Sequence, residues 1–253
     1  MNFLGIDIGG SAIKAAVVEM RTGRLLHEPE KIETPGLLAP GEMADAIVSL
    51  VGRLNWRKPF GVGFPGVING SRILTSDNLH KGFIGLDGVK LFSRATGLPV
   101  SLINDAAAAG LAEMTFGAGR GCKGKVLMLT FGTGVGSVLF GHGVLFPCEL
   151  GQLPLNGKAA EKYVASSIRR AQGLSWKKWG GRLDGYIRIL ETIHWPELII
   201  IGGGISAEHR RFFPYIQARA KLVPAEFFND AGIVGAALWA RRKAALGSGI
   251  KTF

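Results

Sequence analysis

Cysteine is almost absent from this chain. Its 253 residues include two, Cys122 and Cys148, and no Cys-x-x-Cys pair. That excludes a disulfide framework and a cysteine zinc cage, and it predicts a reducing, cytoplasmic setting. Long hydrophobic runs are lacking as well. The candidates around Val126 to Phe131 and Leu198 to Ile201 are strand-length, far short of the ~20 residues that cross a bilayer, so no membrane partner is expected. The chain opens directly on a strand, which predicts a protein without a signal peptide. His142, His194 and His209 stand isolated, which favours core or surface roles over metal ligation. Acidic residues are in deficit, 19 against 30 Lys and Arg, for a net charge of +11. Such a surface attracts polyanions: nucleic acid, an anionic membrane or a polymeric phosphate. There is no helix-turn-helix ahead of Phe3 and no basic–aromatic alternation, so nucleic acid is not expected. Basic clusters are spread along the chain at Arg120, Lys123 and Lys125, at Arg169 and Arg170, at Lys177, Lys178 and Arg182, at Arg210 and Arg211, and at Arg241 to Lys243. Each taken singly reads as a solvated face.

What is present is a pattern of apolar strands, glycine turns and amphipathic helices. Phe3–Ile8 and Ile13–Val18 predict a tight hairpin, with a third strand near Leu25 to Ile32. A helix is predicted from Glu42 to Leu54, where Met43, Ala46, Ile47, Leu50, Val51 and Leu54 make one buried stripe. Phe60–Phe64 and Val100–Ile103 read as buried strands, and the second runs into a helix from Ala106 to Phe116. After the glycine-rich basic loop from Gly117 to Gly124 the opening arrangement returns as strand, glycine turn and strand, a weak internal repeat. Helices are predicted at Lys158 to Ala171 and at Trp176 to His194. A buried strand, Glu197 to Ile201, enters Gly202-Gly203-Gly204, and a last helix starts near Ala231. Alternating strands and helices with a duplicated hairpin predict a two-lobed α/β protein with a central cleft. The lobes are placed at 1–105 and 106–236, with the end of the chain from 237 packing back on the first.

Four motifs are candidates to carry chemistry. Asp7-Ile8-Gly9-Gly10-Ser11 is a glycine turn between strands. Its Asp7 ends a strand, where a charge is costly without a partner; Mg²⁺, held directly or through water, would supply one. Lys14 either reaches phosphate or faces solvent. Thr130-x-Gly132-Thr133-Gly134-x-Gly136 is a second such turn. Turns of small residues expose backbone N–H groups, and those suit a phosphate chain. Gly202, Gly203 and Gly204 form a third candidate cradle, or a plain strand–helix turn. Between the first two turns, Asn104-Asp105 stands at the carboxyl edge of a buried strand. Asp105 reads either as a helix N-cap or as a base that accepts a proton from a hydroxyl attacking a phosphate. Two phosphate turns with one such carboxylate suggest phosphoryl transfer.

The succession Asp-x-Gly-Gly-Ser, Pro-Gly-Val, Asn-Asp-Ala, Thr-Phe-Gly-Thr-Gly-x-Gly-Ser, Glu-Leu-Gly, Gly-Gly-Gly-Ile-Ser and Ala-Gly-Ile-Val-Gly-Ala-Ala resembles the ROK sugar kinases (repressors, open reading frames, kinases). Ala165-Ser166-Ser167, the segment Leu174 to Trp179, Trp195-Pro196-Glu197-Leu198 and Asn229-x-Ala231-Gly232-Ile233-Val234-Gly235 are similar to the polyphosphate glucokinase branch, glucomannokinases included. The resemblance implies an actin-like ATPase (ribonuclease H-like) fold, two lobes closing on a sugar, and a homodimer. It implies Asp105 as the catalytic base and sugar contacts at Asn78, Asn104 and Glu149. It implies a phosphate-donor site at Gly9, Gly10, Ser11, Thr130, Gly132, Thr133 and Gly134. Donors would be inorganic polyphosphate or ATP, and the acceptor glucose or a related hexose such as mannose, with Mg²⁺ as cofactor. Two positions depart from the family pattern. Gln152 stands where the family has His after Glu-x-Gly, and a second sugar-binding Glu falls at Glu161 or, in the better register, at Lys162. An ATP-dependent kinase for another hexose and a non-catalytic sugar or polyanion sensor are the alternatives. A polyphosphate path leaving the hairpins along Arg120 and Lys123 is the expectation drawn from the charge.

Overall fold

The computed structural model describes residues 1–34, 36–76 and 79–247. Asn78 lies outside the described residues. The chain divides into two compact units, residues 1–112 with the chain from 230 onward, and residues 113–229.

The first unit begins with β1 (Asn2–Ile8) and β2 (Ala12–Glu19), an antiparallel hairpin extended by β3 (Glu30–Glu33). β3 is shorter and later than the strand expected near Leu25 to Ile32. Leu25 makes only an isolated bridge to Val18, and Pro29 has no N–H to give a ladder. Helix α1 (Pro40–Arg53) starts two residues earlier than the expected Glu42, with Pro40 at its first position and the Glu42 carboxylate accepting the Ala39 N–H at 2.7 Å. That is the favoured chemistry for a helix start. β4 (Phe60–Phe64), α2 (Gly88–Thr96), β5 (Val100–Asn104) and α3 (Asp105–Phe116) follow. α2 was not read from the sequence. The sheet order is β3-β2-β1-β4-β5, with β1, β4 and β5 parallel. β4 is buried along its whole length, as a central parallel strand should be.

The second unit repeats this plan. β6 (Val126–Phe131), β7 (Val135–Gly141) and β8 (Val144–Cys148) are antiparallel neighbours. The segment expected to be one helix from Lys158 to Ala171 is instead a two-residue ladder strand (Lys158–Ala159), α4 (Glu161–Val164) and α5 (Ser166–Ala171). The break is at Ala165, whose backbone is extended, because Ser166 and Ser167 are bonded elsewhere, to the glycine turn described below. α6 (Trp176–His194) buries Trp179, Leu183, Tyr186, Ile187 and Leu190. β9 (Leu198–Gly202) leads into a 3-10 segment, Gly204–Arg211, and β10 (Lys221–Pro224) closes the sheet. The order is β8-β7-β6-β9-β10, with β6, β9 and β10 parallel. The internal repeat glimpsed in two hairpins is thus a repeat of whole five-stranded sheets.

The last helix, α7 (Ala231–Gly247), belongs to the first unit and packs on β1, β4 and β5. A Cβ on Gly5 or Gly61 would collide with the Ile233 or Ala236 carbonyl of α7, so glycine on the strands lets the helix backbone lie directly on the sheet. The Trp239 indole N–H donates to Leu102 O at 2.9 Å and anchors the helix across β5. No helix among the described residues is long and apolar enough to cross a membrane.

Candidate active site

In the first unit the chemistry gathers where β1 and β5 end. Asn104, the last residue of β5, caps α3: its Oδ1 accepts the Ala107 N–H at 2.9 Å. The cap expected at Asp105 therefore belongs to its neighbour. Asn104 Nδ2 donates to Gly66 O and to Asp105 Oδ1, both at 3.1 Å. Both amide hydrogens are engaged, so Asn104 acts on Asp105 as a positioning residue. Asp105 Oδ1 also accepts the Ala106 N–H at 2.7 Å. One carboxylate oxygen is thus fixed from two sides, and among the described residues none donates to Oδ2. Burial pushes the Asp105 carboxyl up to about 6, against the pull of the Ala106 N–H, its own N–H and the Asn104 side chain. At neutral pH it is mostly ionised, with one free oxygen and a proton affinity suited to general-base work.

Asp7 sits one residue before the end of β1, opposite Lys14 on β2 and beside Gly63 on β4. Burial raises its carboxyl to about 7, helped by the Asp105 charge, opposed by Lys14, and helped again by Asp230. No hydrogen bond or ion pair reaches its side chain among the described residues. Room for the carboxylate comes from Gly232 in α7, where a Cβ would stand 2.5 Å from Cγ of Asp7. An unpartnered, half-buried carboxylate whose ionisation is held back is a fitting seat for a cation. No cluster of three or more His, Cys, Asp or Glu able to hold a metal occurs among the described residues. Mg²⁺ does not need one, because it takes one or two carboxylates together with substrate phosphates and waters. Gly9 and Gly10 carry the turn after β1, Gly10 with open space where a Cβ would stand, and Ser11 is exposed beside it.

The second unit builds the other glycine turn. Gly132 N–H donates to Gly134 O at 3.0 Å, closing the loop between β6 and β7. Gly132 also has open space where a side chain would begin. The turn is held from α5: Ser166 Oγ donates to Gly132 O at 3.0 Å, and Ser167 Oγ to Thr133 O at 2.7 Å. Thr130 pairs with both Gly136 and Gly202 across the sheet. Gly203, with φ of 79°, lies against the Phe131 backbone. The turns at 132–134 and 202–204 therefore stand side by side at the finishing edge of β6 and β9. The segment after Gly203 is a 3-10 helix because Ser206, fully buried, returns both its N–H and its Oγ to Gly203 O, at 2.9 and 2.8 Å.

Glu149 and Gln152 lie on a short 3-10 turn after β8, both exposed. Gly151 between them rests on the Val135 carbonyl, where a Cβ would clash. Ser137, which sequence reading saw only as part of the glycine motif, fixes this turn. Its Oγ donates to Cys148 O at 2.8 Å and accepts the Leu150 N–H at 2.9 Å, gripping Glu149 on both flanks. Glu161 and Lys162 open α4 as an ion pair at 3.1 Å, with the carboxylate side chain 16% exposed and the ammonium side chain 64%. Arg120 and Lys123 are exposed in the loop ahead of β6. The loop that carries them precedes β6, whereas the Gly132 turn follows it.

A family model described as "ROK family" matches residues 3–152. A polyphosphate glucokinase of Mycobacterium tuberculosis (strain CDC 1551 / Oshkosh) is 40% identical over 236 residues, covering 92% of this chain and 89% of that protein. The solved structure of an inorganic polyphosphate/ATP-glucomannokinase from Arthrobacter sp. strain KM is 40% identical with a TM-score of 0.92, covering 96% of this chain and 99% of that one. A ROK family glucokinase from Streptomyces griseus, 24% identical, shares the fold with a TM-score of 0.81 over 96% of this chain and all of that one.

Proposed function

The chain belongs to the ROK family, and on that footing we propose that it is a sugar kinase that transfers a phosphoryl group from inorganic polyphosphate to the 6-hydroxyl of glucose. The fold is the actin-like ATPase fold, in which each unit carries the same five-stranded order. One observation carries the catalytic part of the reading. Asp105 has one oxygen fixed by Ala106 and Asn104 and the other open. In the reaction the sugar oxygen forms a bond to phosphorus while the bond from phosphorus to the bridging oxygen of the donor breaks. The hydroxyl proton passes to Asp105. The products are hexose 6-phosphate and a donor one phosphate shorter.

The turns at Gly9, Gly10 and Ser11 and at Thr130, Gly132, Thr133 and Gly134 are the proposed holders of the donor phosphates, with Lys14 and the Gly202 to Gly204 turn beside them. Glu149, Gln152 and Glu161 are the proposed partners of the sugar hydroxyls. The exposure difference supports Glu161, not Lys162, as the second acidic contact. Asp7 would hold Mg²⁺, directly or through water, and the ion's contribution is to offset charge on the transferring phosphoryl group. ATP as a second donor and mannose as a second acceptor are supported by the description of the Arthrobacter relative. A homodimer belongs to the same proposal, supported by Val144 and Phe146, 56% and 50% exposed on the edge strand β8.

The test is phosphorylation of glucose by the purified protein with Mg²⁺, with polyphosphate and ATP supplied separately and Asp105→Asn as control. Product from polyphosphate that disappears with Asp105→Asn is the expected result. Product from ATP alone overturns the donor. Glucose binding with no product from either donor overturns the kinase reading in favour of a sensor.

A further inference from the structure

The two glycine turns of the second unit each run into a short helical segment that ends in arginines. From Gly132 the chain of contacts passes through Ser166 into α5, which carries Arg169 and Arg170. Arg170 Nη1 donates back to Ser166 Oγ at 3.3 Å. From Gly203 the backbone itself passes into the 3-10 segment that ends in Arg210 and Arg211. The two routes meet on one indole. The Arg169 guanidinium lies 3.9 Å and the Arg211 guanidinium 4.6 Å from the centre of the Trp176 ring. Trp176 is in turn backed by Phe212 and Trp179, and Trp179 by Phe131, the residue just before Gly132.

This arrangement is costly if it has no ligand. Three guanidinium groups stand close enough that burial, then Arg170, then Arg211 pull the Arg169 group below its ordinary range, with Glu208 opposing. Arg211 pairs with Glu208 at 3.3 Å, but neither Arg169 nor Arg170 has an acidic partner among the described residues. The Arg169 Nε is buried without a hydrogen-bond partner. Stacking on an indole holds guanidinium planes in place, and three such cations held together with one carboxylate beside them leave an excess of positive charge that suits an anion.

We propose that Arg169 and Arg211, gathered on Trp176, and Arg170 beside Arg169 form a distal clamp for the part of a polyphosphate chain that lies beyond the phosphates held by the glycine turns. The clamp rests on the polyphosphate reading above and adds to it a determinant of chain length. A donor of two or three phosphates ends at the turns, while a long chain continues to the arginines. The clamp is a different route from the one the sequence suggested along Arg120 and Lys123, whose loop precedes β6.

The experiment compares the full-length protein with Arg211→Gln, which leaves α5 untouched, with Arg170→Gln/Arg211→Gln, and with Glu208→Gln. Each is assayed with long-chain polyphosphate, tripolyphosphate and ATP, and for direct binding of fluorescently labelled long-chain polyphosphate over a range of salt. Thermal melts report that each variant is folded. The double variant is expected to raise KM and Kd for the long chain roughly tenfold, because two charge-assisted contacts are lost. It should also flatten the salt dependence, and Arg211→Gln alone, away from the Ser166 contact to the Gly132 turn, should leave KM for tripolyphosphate, ATP and glucose unchanged. Glu208→Gln is expected to shift long-chain KM the other way. Unchanged long-chain binding and KM in the arginine variants overturn the clamp, whatever the donor. A wild-type protein that uses only ATP yet binds long chains through Arg211 keeps the clamp and overturns the donor reading. One that neither uses nor binds polyphosphate overturns both.

Discussion

The carboxylate of Asp7 occupies the space that a side chain on Gly232 would take: a Cβ there would be 2.5 Å from Cγ and 2.6 and 2.7 Å from the two oxygens. The two residues come from opposite ends of the chain, and the helix that carries Gly232 lies flat on the strand that carries Asp7. The first turn of α7 therefore sets where the unpartnered carboxylate can point.

Gly232→Ala tests this contact. The methyl group must push the carboxylate aside, since its neighbours on α7 are backbone and cannot yield. The expected outcome is a rise of about tenfold or more in the Mg²⁺ concentration needed for half-maximal rate, with kcat depressed as well. Misplacing a reacting group by 1 Å costs about a hundredfold in rate. Melting with and without Mg²⁺ separates this from unfolding: wild type should gain stability from the ion, and the variant should gain less.

The pH profile follows from the two raised carboxyls. Asp105 lies at about 6 and Asp7 at about 7, each ionising against burial, and Asp7 also against the Asp105 charge. They titrate as a coupled pair. The rate should fall on the acid side of neutrality as the base takes up a proton, and Mg²⁺ should carry that limb to lower pH. Asn104→Ala removes a hydrogen bond that favours the ionised Asp105, so the limb should move to higher pH; lost capping of α3 should cost about 1 kcal/mol of stability. A limb that stays in place in Asn104→Ala, with the same fall in stability, reduces Asn104 to a cap. Stability has its own sign. A carboxyl raised in the folded state binds protons there that the unfolded chain has already released. Metal-free protein should therefore lose stability as pH rises from about 4 to 7, and Mg²⁺ should restore it.

Ser137→Ala addresses the sugar side. The hydroxyl is 3% exposed and joins Cys148 O to Leu150 N. Its loss leaves both backbone groups unpaired, at roughly 1–3 kcal/mol, and loosens the turn that presents Glu149 and Gln152. Glucose KM should rise several-fold while KM for the phosphate donor holds. Equal change in both constants would place Ser137 in the core alone.

Much of this was legible in the sequence because it is local. The hairpins, the helix stripes of α1 and α6 and the glycine turns follow from spacing within a few residues. The duplicated plan could be sensed from two similar turns. What escaped depends on partners far along the chain. The break between α4 and α5 exists because Ser166 and Ser167 bond to a turn 34 residues earlier. The buried Glu113 accepts N–H groups from Ala118, Glu226 and Phe227 and ties two loops together across more than a hundred residues. Asp105 was correctly seen at a sheet edge, but its cap belongs to Asn104, since neighbouring Asn and Asp offer the same chemistry and only the backbone decides between them. The strands β8 and β10 lie at sheet edges and carry Pro147 and Pro224, which blurs any alternation.

The register at Glu161 and Lys162 gives the sharpest test of which residue faces the sugar. Aligned by resemblance, Lys162 takes the acidic position; by exposure, Glu161 does, with its carboxylate enclosed and the Lys162 ammonium turned to solvent. An ion pair with one partner in solvent contributes about 1 kcal/mol or less, so neither substitution should unfold the protein. Glu161→Gln is expected to raise glucose KM by about tenfold or more, as removal of a charged hydrogen-bond acceptor does, with kcat on saturating sugar much less affected. Lys162→Ala should leave glucose KM within about twofold of wild type, the scale of a surface change. The opposite pattern, with Lys162→Ala harmful and Glu161→Gln silent, would make the ammonium the sugar's partner. It would point to an acceptor carrying a negative group in place of plain glucose.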